Sequence, residues 1–174
     1  MKRNNIEVTD INRIGEILRE AKVCRLALFN GKYPYIIPMC FGYDLDSDKL
    51  ELYFHCAAKG KKIELIKANS HAAFEIDCLY EIIPAEIPCH FTASYESITG
   101  CGTVDIINGI EKLTGLNSIM SKYSSEGREH KYSEQMLNNV AILKLTAEEF
   151  CCKIHNKDND ERELTWRALK CMGL

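Results

Sequence analysis

A mainly β protein, with its strands closed or nearly closed into a barrel and a few helices packed around them, is what this sequence predicts. Three observations carry the prediction. Short runs rich in β-branched, aromatic and other apolar residues recur along the chain, bounded by Gly, Asn, Asp and Pro. Six or seven such runs follow one another in hairpin order, with two or three helices between them and no repeat or linker. Antiparallel neighbours joined by short turns favour closure, because a closed sheet leaves no exposed edge.

The composition agrees and excludes other classes. The chain has 174 residues, 46% hydrophobic and 27% charged, enough for one soluble domain with a core of its own. A net charge of −3 makes nucleic acid an unexpected partner. No apolar run reaches membrane-spanning length, and the N-terminus lacks the apolar core of a signal peptide. Cytoplasmic placement is the expectation. The nine cysteines show no two-residue spacing of a zinc or redox motif, and most are expected as small hydrophobes in strands. Adjacent Cys151 and Cys152 would point to opposite faces of a strand. No metal site is expected.

Taken in order, residues 8–21 predict a packing helix, capped by Thr9 or Asp10 and striped by Ile11, Ile14, Ile17 and Leu18. Val23 to Phe29 is a strand closed by Asn30-Gly31, a strong hairpin signal. Tyr35 to Tyr43 reads as the next strand. Pro38 inside it cannot donate to a ladder, so the strand has an edge, a bulge or a break there. Asp44 to Asp48 is a polar hairpin loop; its acidic spacing lacks the glycine and distal glutamate of a calcium loop. Leu50 to Phe54 is a packed strand, and a helix follows to Ala68. His71 to Asp77 is a strand with its charges outward, and 80–90, with two prolines, is a loop. Phe91 to Val104 is a long strand in which Gly100 and Gly102 mark a bend or the close approach of another backbone. Ile110 to Tyr123 is a helix striped by Ile110, Leu113, Leu116 (or Asn117) and Met120. Residues 124–135 read as loop, Val140 to Leu145 as the final strand. The domain is expected over 1–155, with a tail at 156–174 in which Leu164 to Leu169 forms a short docking helix.

The chemistry centres on Leu50 to Ala68. After the strand, the chain bends through Ala57-Ala58-Lys59-Gly60 and starts a helix with Lys61 and Lys62. Cations are disfavoured at the positive end of a helix. A bound dianion, held by free backbone N–H groups and both ammonium heads, removes the conflict, so the turn reads as a phosphate site. The alternative is a solvated lysine pair on an ordinary helix. His55 and Cys56 lie at the strand's exit. At Pro38, a broken ladder would offer main-chain groups to a flat polar heterocycle.

In this order the motifs resemble a known family. Cys24-Arg25-Leu26-Ala27-Leu28, Gly31 to Pro38, and Leu52-Tyr53-Phe54-His55-Cys56-Ala57-Ala58-Lys59-Gly60-Lys61-Lys62 resemble the FMN-binding split barrels of the pyridoxamine 5'-phosphate oxidase-like superfamily. Tyr95-Glu96-Ser97-Ile98 and the helix at Glu111-Lys112-Leu113 resemble its 5-nitroimidazole-resistance (Nim) branch. The resemblance covers residues 10–155 and implies a Greek-key-like split barrel. It also implies a homodimer with FMN at the subunit interface, FAD being possible in its place. Carried over by position, the flavin ring lies along Ile37, Pro38, Met39, Cys40 and Phe41. His55 and Cys56 reach the ribityl chain or phosphate, Lys61 and Lys62 hold the phosphate, and Ser97 bonds near the ring's polar edge.

Two departures bear on activity. True oxidases of this family carry an arginine where Ile37 stands, and a tryptophan and arginine in a closing strand; Trp166 and Arg167 do not match that ending. Oxidation of a pyridoxamine phosphate is therefore not expected. The resemblance implies a flavin-dependent reductase taking hydride from NADH or NADPH to a small aromatic or nitroaromatic acceptor. A non-catalytic flavin carrier or sensor is the alternative; haem binding also occurs on related barrels, and His55 or His71 would be the ligand here. No acid or base stands out: Tyr95, His55 and His71 are candidates, each with a structural reading beside it.

Overall fold

A computed structural model describes residues 7–47, 49–124 and 131–159. Eight strands form one antiparallel sheet: β1 (Glu7–Val8), β2 (Cys24–Leu28), β3 (Tyr35–Met39), β4 (Gly42–Asp46), β5 (Lys49–Ala57), β6 (His71–Ile83), β7 (Thr92–Ile107) and β8 (Val140–His155). Four helices accompany them: α1 (Ile11–Glu20), α2 (Lys61–Ala68), α3 (Gly109–Tyr123) and α4 (Glu134–Asn139). The strand order is β3-β2-β6-β7-β8-β5-β4, with β1 added beside β8. The expected mainly β architecture is present, with β1 and α4 beyond the expected count.

The run from Tyr35 to Tyr43 is not one strand. It divides at Cys40 and Phe41 into β3 and β4, which stand at opposite ends of the strand order. Two residues span only about 10 Å. The sheet must therefore curl until its two ends nearly meet, without a ladder between them: a split barrel. Pro38 sits in the edge strand. Its pairing with Arg25 belongs to a register of β2 and β3 that runs without a bulge, so of the three expectations the edge is the one observed.

Alternation along the strands fills the barrel. Leu26 and Leu28 of β2, Leu52 and Phe54 of β5, Phe74 and Ile76 of β6, and Leu143 and Leu145 of β8 all point inward and are buried. Helix α1 closes one side with Ile14, Ile17 and Leu18, and Asp10 caps it by accepting from the Asn12 N–H at 3.0 Å. Helix α3 covers the outside of β4, β5 and β8, where Tyr53, Ile107, Ile119 and Ile142 make a second, smaller core.

Several expectations are corrected in detail. The α3 stripe holds only in part: Leu116 packs against the second core, but Ile110 is 82% exposed and Leu113 is exposed too, while Gly115 and Ile119 are the buried positions. A Cβ on Gly115 would lie 2.8 Å from Ile142 Cγ2, so this helix approaches the sheet on a glycine. The Asn30-Gly31 turn is a longer connection, from Phe29 to Pro34, with Gly31 at φ +64°. The acidic stretch is mostly strand: β4 runs through Asp44 and Asp46, and Asp46 pairs with Lys49. Strands β6, β7 and β8 extend well past their expected ends, and α4 occupies part of the expected loop. Of the described cysteines, Cys24, Cys56 and Cys152 are buried, but Cys40 and Cys89 are exposed, so the core reading fails for these two. Cys152 is buried and Cys151 partly exposed, as opposite faces require. Trp166, Arg167 and the docking helix at 164–169 lie outside the described residues.

Candidate functional site

From Leu52 to Phe54 strand β5 is buried on both faces because it runs between the barrel core and α3. It ends with His55 exposed opposite Ile142, and Cys56 buried opposite Ala141. The chain then turns at Gly60, whose φ of +128° is a conformation that side-chain-bearing residues avoid. Helix α2 begins at once with Lys61 exposed and Lys62 half-buried.

No side chain caps this helix. The N–H groups of Ile63 and Glu64 both turn back to the Gly60 carbonyl, at 3.0 and 3.2 Å. Those of Lys61 and Lys62, at the first two positions, have no intrahelical acceptor. A Cβ built on Gly60 meets nothing within 4 Å, so the approach to the turn is open. The Lys61 ammonium lies 4.6 Å from the centroid of the Tyr35 ring, which fastens the helix start to the beginning of β3. Two free backbone donors, two ammonium groups and an open approach make a cradle that fits a phosphate dianion. Burial pushes the Cys56 thiol up, and the nearby Lys62 charge only partly offsets this. Cys56 is therefore a neutral thiol at the back of the cradle, not a ready thiolate.

The β3 stretch presents two faces. Ile37 and Met39 turn toward the core, opposite Leu26 and Cys24 in register, while Pro38 and Cys40 are exposed. Phe41 is fully buried, and its N–H donates to the Tyr123 hydroxyl at 3.0 Å, which in turn donates to the Lys22 carbonyl at 2.7 Å. The main chain at Phe41 is thus already engaged by α3. Ser97 lies half-buried on β7 between Asp77 and Lys153. With β2 and β6 between, it stands three strands from β3, about 14 Å across the sheet. One protomer therefore gathers β3, the end of β5 and α2, but not Ser97.

Of the acid–base candidates, His71 is exposed with its Nδ1 3.0 Å from Asn69 Oδ1. Tyr95 packs against His155, ring centroids 5.5 Å apart. Sequence reasoning missed Tyr35 as the support of Lys61, and Tyr123 as the partner of Phe41. It also missed the ion pair that buries Glu96 against Arg13. Tyr35 alone carried a local signal, an aromatic residue at the start of a strand in the same motif run. Among the described residues no group of His, Cys, Asp and Glu is arranged to hold a metal. Among them, too, no helix is long and apolar enough to cross a membrane.

An antiparallel split barrel with a basic helix start beside its edge strand defines the class of the protein. The family model for pyridoxamine 5'-phosphate oxidase matches residues 10–154, and the chain belongs to that family. No curated protein matches it. Among solved structures it is similar to a candidate 5-nitroimidazole antibiotic resistance protein from Bacteroides thetaiotaomicron, with 27% identity over 86% of each chain and a TM-score of 0.72. It is also similar to the flavocytochrome Anf3 from Azotobacter vinelandii, at 15% identity, covering 95% of this chain and 77% of that one, TM-score 0.75. A FAD and haem binding protein from Mycobacterium smegmatis matches at 19% identity over 91% and 78%, TM-score 0.76. At these identities the last two establish the fold alone.

Proposed function

We propose that this protein binds FMN and uses it to reduce small aromatic or nitroaromatic compounds with hydride from NADH or NADPH. The observation that carries the reading is the uncapped start of α2, where Lys61 and Lys62 stand beside two free N–H groups and Lys61 rests on Tyr35. The likeness to the Bacteroides structure supports the choice of acceptor. When bound, the flavin supplies the redox chemistry.

The protein's own contribution is positional. Lys61 and Lys62 neutralise the phosphate, and His55 stands at the exit of β5 beside it. The exposed edge of β3 at Pro38 and Cys40 offers a flat, apolar flank to the ring. Ser97 stands on β7, with β2 and β6 between it and β3, and the reading includes a homodimer with flavin at the subunit interface, to which a second copy supplies Ser97. Room for the adenylate half of FAD beyond the phosphate would be provided by the open side of Gly60. A cytoplasmic location accords with a nicotinamide donor.

The test is a spectrum followed by turnover. Purified protein is expected to carry or take up FMN and show its absorbance. NADH or NADPH should bleach it, and a 5-nitroimidazole should restore the colour. A flavin that stays oxidised with every donor would identify a carrier instead. Colourless protein that takes up neither FMN nor FAD would refute the reading.

A further inference from the structure

The turn that carries the phosphate cradle is placed from its two ends. Residues 57–60 are all exposed, so nothing buried within the turn fixes it. On the α2 side the anchors are Ile63 and Ile66, both buried, and the Lys61 contact with the Tyr35 ring. On the β5 side the anchor is the ladder with β8, which is narrow there. Pairing of β4 with β5 stops at Tyr53, and pairing of β7 with β8 stops at Ile142. The last two pairs, Cys56 with Ala141 and Ala57 with Val140, therefore have no third strand beside them. A ribbon of two strands is marginal without added support.

Lys112, half-buried in the first turn of α3, supplies that support. Its ammonium donates to the Leu137 and Val140 carbonyls, each at 2.6 Å. Leu137 lies in the last turn of α4, where carbonyls lack intrahelical donors and a cation is favoured. Helix α4 has no buried residue, so packing does little to hold it. The two bonds thus tie α3, the end of α4 and the first residue of β8 together, opposite Ala57. Neighbouring Glu111 adds a second fastening further along β8, to Lys144 at 3.1 Å.

We propose that Lys112 is a positioning residue for the phosphate cradle. By holding Val140 it holds Ala57, and so fixes where the N–H groups and ammonium heads of Lys61 and Lys62 lie before a flavin phosphate arrives. It acts through the ribbon, not on the phosphate. The proposal rests on reading the turn as a phosphate site. A site already held in its binding geometry loses less entropy on binding, so loosening the ribbon weakens a ligand that carries the phosphate and spares one that does not.

The experiment compares FMN with riboflavin, which lacks the phosphate, on the full chain and on Lys112→Met and Lys112→Arg. Hydrogen exchange without ligand follows the amides of residues 56–57 and 140–141. Lys112→Met is expected to exchange faster there and to bind FMN about tenfold more weakly, with riboflavin unchanged. The loss should persist at raised salt, which screens a charge acting from a distance. Lys112→Arg, which keeps the charge and the donors, should recover most of it. Unchanged exchange, an equal loss for both flavins, or a loss that salt abolishes would each overturn the proposal. An unaltered protein that prefers FMN to riboflavin, with the preference intact in Lys112→Met, would refute this role alone. No preference in the unaltered protein would refute the phosphate site as well. If Lys112→Met does not fold, Lys112→Gln, shorter and uncharged, must show the same order of affinities; an FMN preference it keeps in full would overturn the proposal.

Discussion

The Lys61 ammonium sits over the Tyr35 ring, 4.6 Å from its centroid. The contact joins the first residue of α2 to the first residue of β3, residues 26 positions apart in the chain. It holds the helix start beside the edge strand, where an anion bound to the helix would lie alongside β3.

Replacing both lysines should therefore remove the cofactor. Each charge-assisted contact is expected to contribute about 10- to 100-fold in affinity. Lys61→Ala/Lys62→Ala should release FMN on dilution, with little change in melting temperature, as followed by flavin fluorescence. In the unaltered protein, affinity should fall as salt rises, since the site is open to solvent.

Tyr123→Phe tests the lock on the β3–β4 crossing. It removes the hydroxyl that accepts from the Phe41 N–H and donates to the Lys22 carbonyl. With Phe41 buried, the orphaned N–H should cost about 1–3 kcal/mol. A urea midpoint unchanged from the unaltered protein would show that the crossing is held by other contacts.

The glycines of β7 and of the β2–β3 connection should behave differently. A Cβ on Gly102 would lie 2.0 Å from the Thr146 carbonyl oxygen, where Glu148 is an extra residue in β8 against β7. Backbone cannot yield as a flexible side chain does, so Gly102→Ala is expected to cost about 3 kcal/mol or more. Gly31, at φ +64° with nothing within 4 Å of a built Cβ, should cost only about 1 kcal/mol on the same change. Thermal melts of the two variants give the comparison.

Lys122 predicts a pH dependence. Its ammonium donates to the Leu18 and Arg19 carbonyls at the end of α1 and lies 4.5 Å from the Phe41 ring centroid. Burial, with the nearby Lys22 charge adding to it, pulls the group down to about 8 against the opposing pull of Glu20. Between that value and the unfolded value of about 10.4 the unfolded chain holds more protons, so this group makes stability rise with pH across that window. The melting temperature of the unaltered protein, relative to Lys122→Met, should therefore climb from pH 8 to pH 10. A difference that is flat or falls would contradict the direction.

Local chemistry made much of this readable in advance. Alternation in His71 to Asp77 placed Ala72, Phe74 and Ile76 inside and the charges outside. Gly60 followed by two lysines marked the cradle. Asp10 announced the start of α1. What misled was any position whose environment comes from a distant segment. Ile110 and Leu113 have helical spacing, yet the sheet meets the Gly115 side of the helix. Tyr35 to Tyr43 is continuous in β character, and only the positions of β2 and β5 decide that it must divide. The depth of Glu96 depends on α1 and its Arg13, far away in sequence.

The sequence by itself determined most of the strands and the three longer helices, the barrel class and the basic helix start, because each follows from neighbours a few residues apart. Tertiary structure decided which face of α3 is covered, that β3 and β4 end at opposite edges of one curled sheet, and that β2 and β6 stand between Ser97 and β3. These depend on pairings between segments many residues apart. Side-chain pattern constrains which face a strand buries, but the choice of partner is settled only when the whole sheet packs.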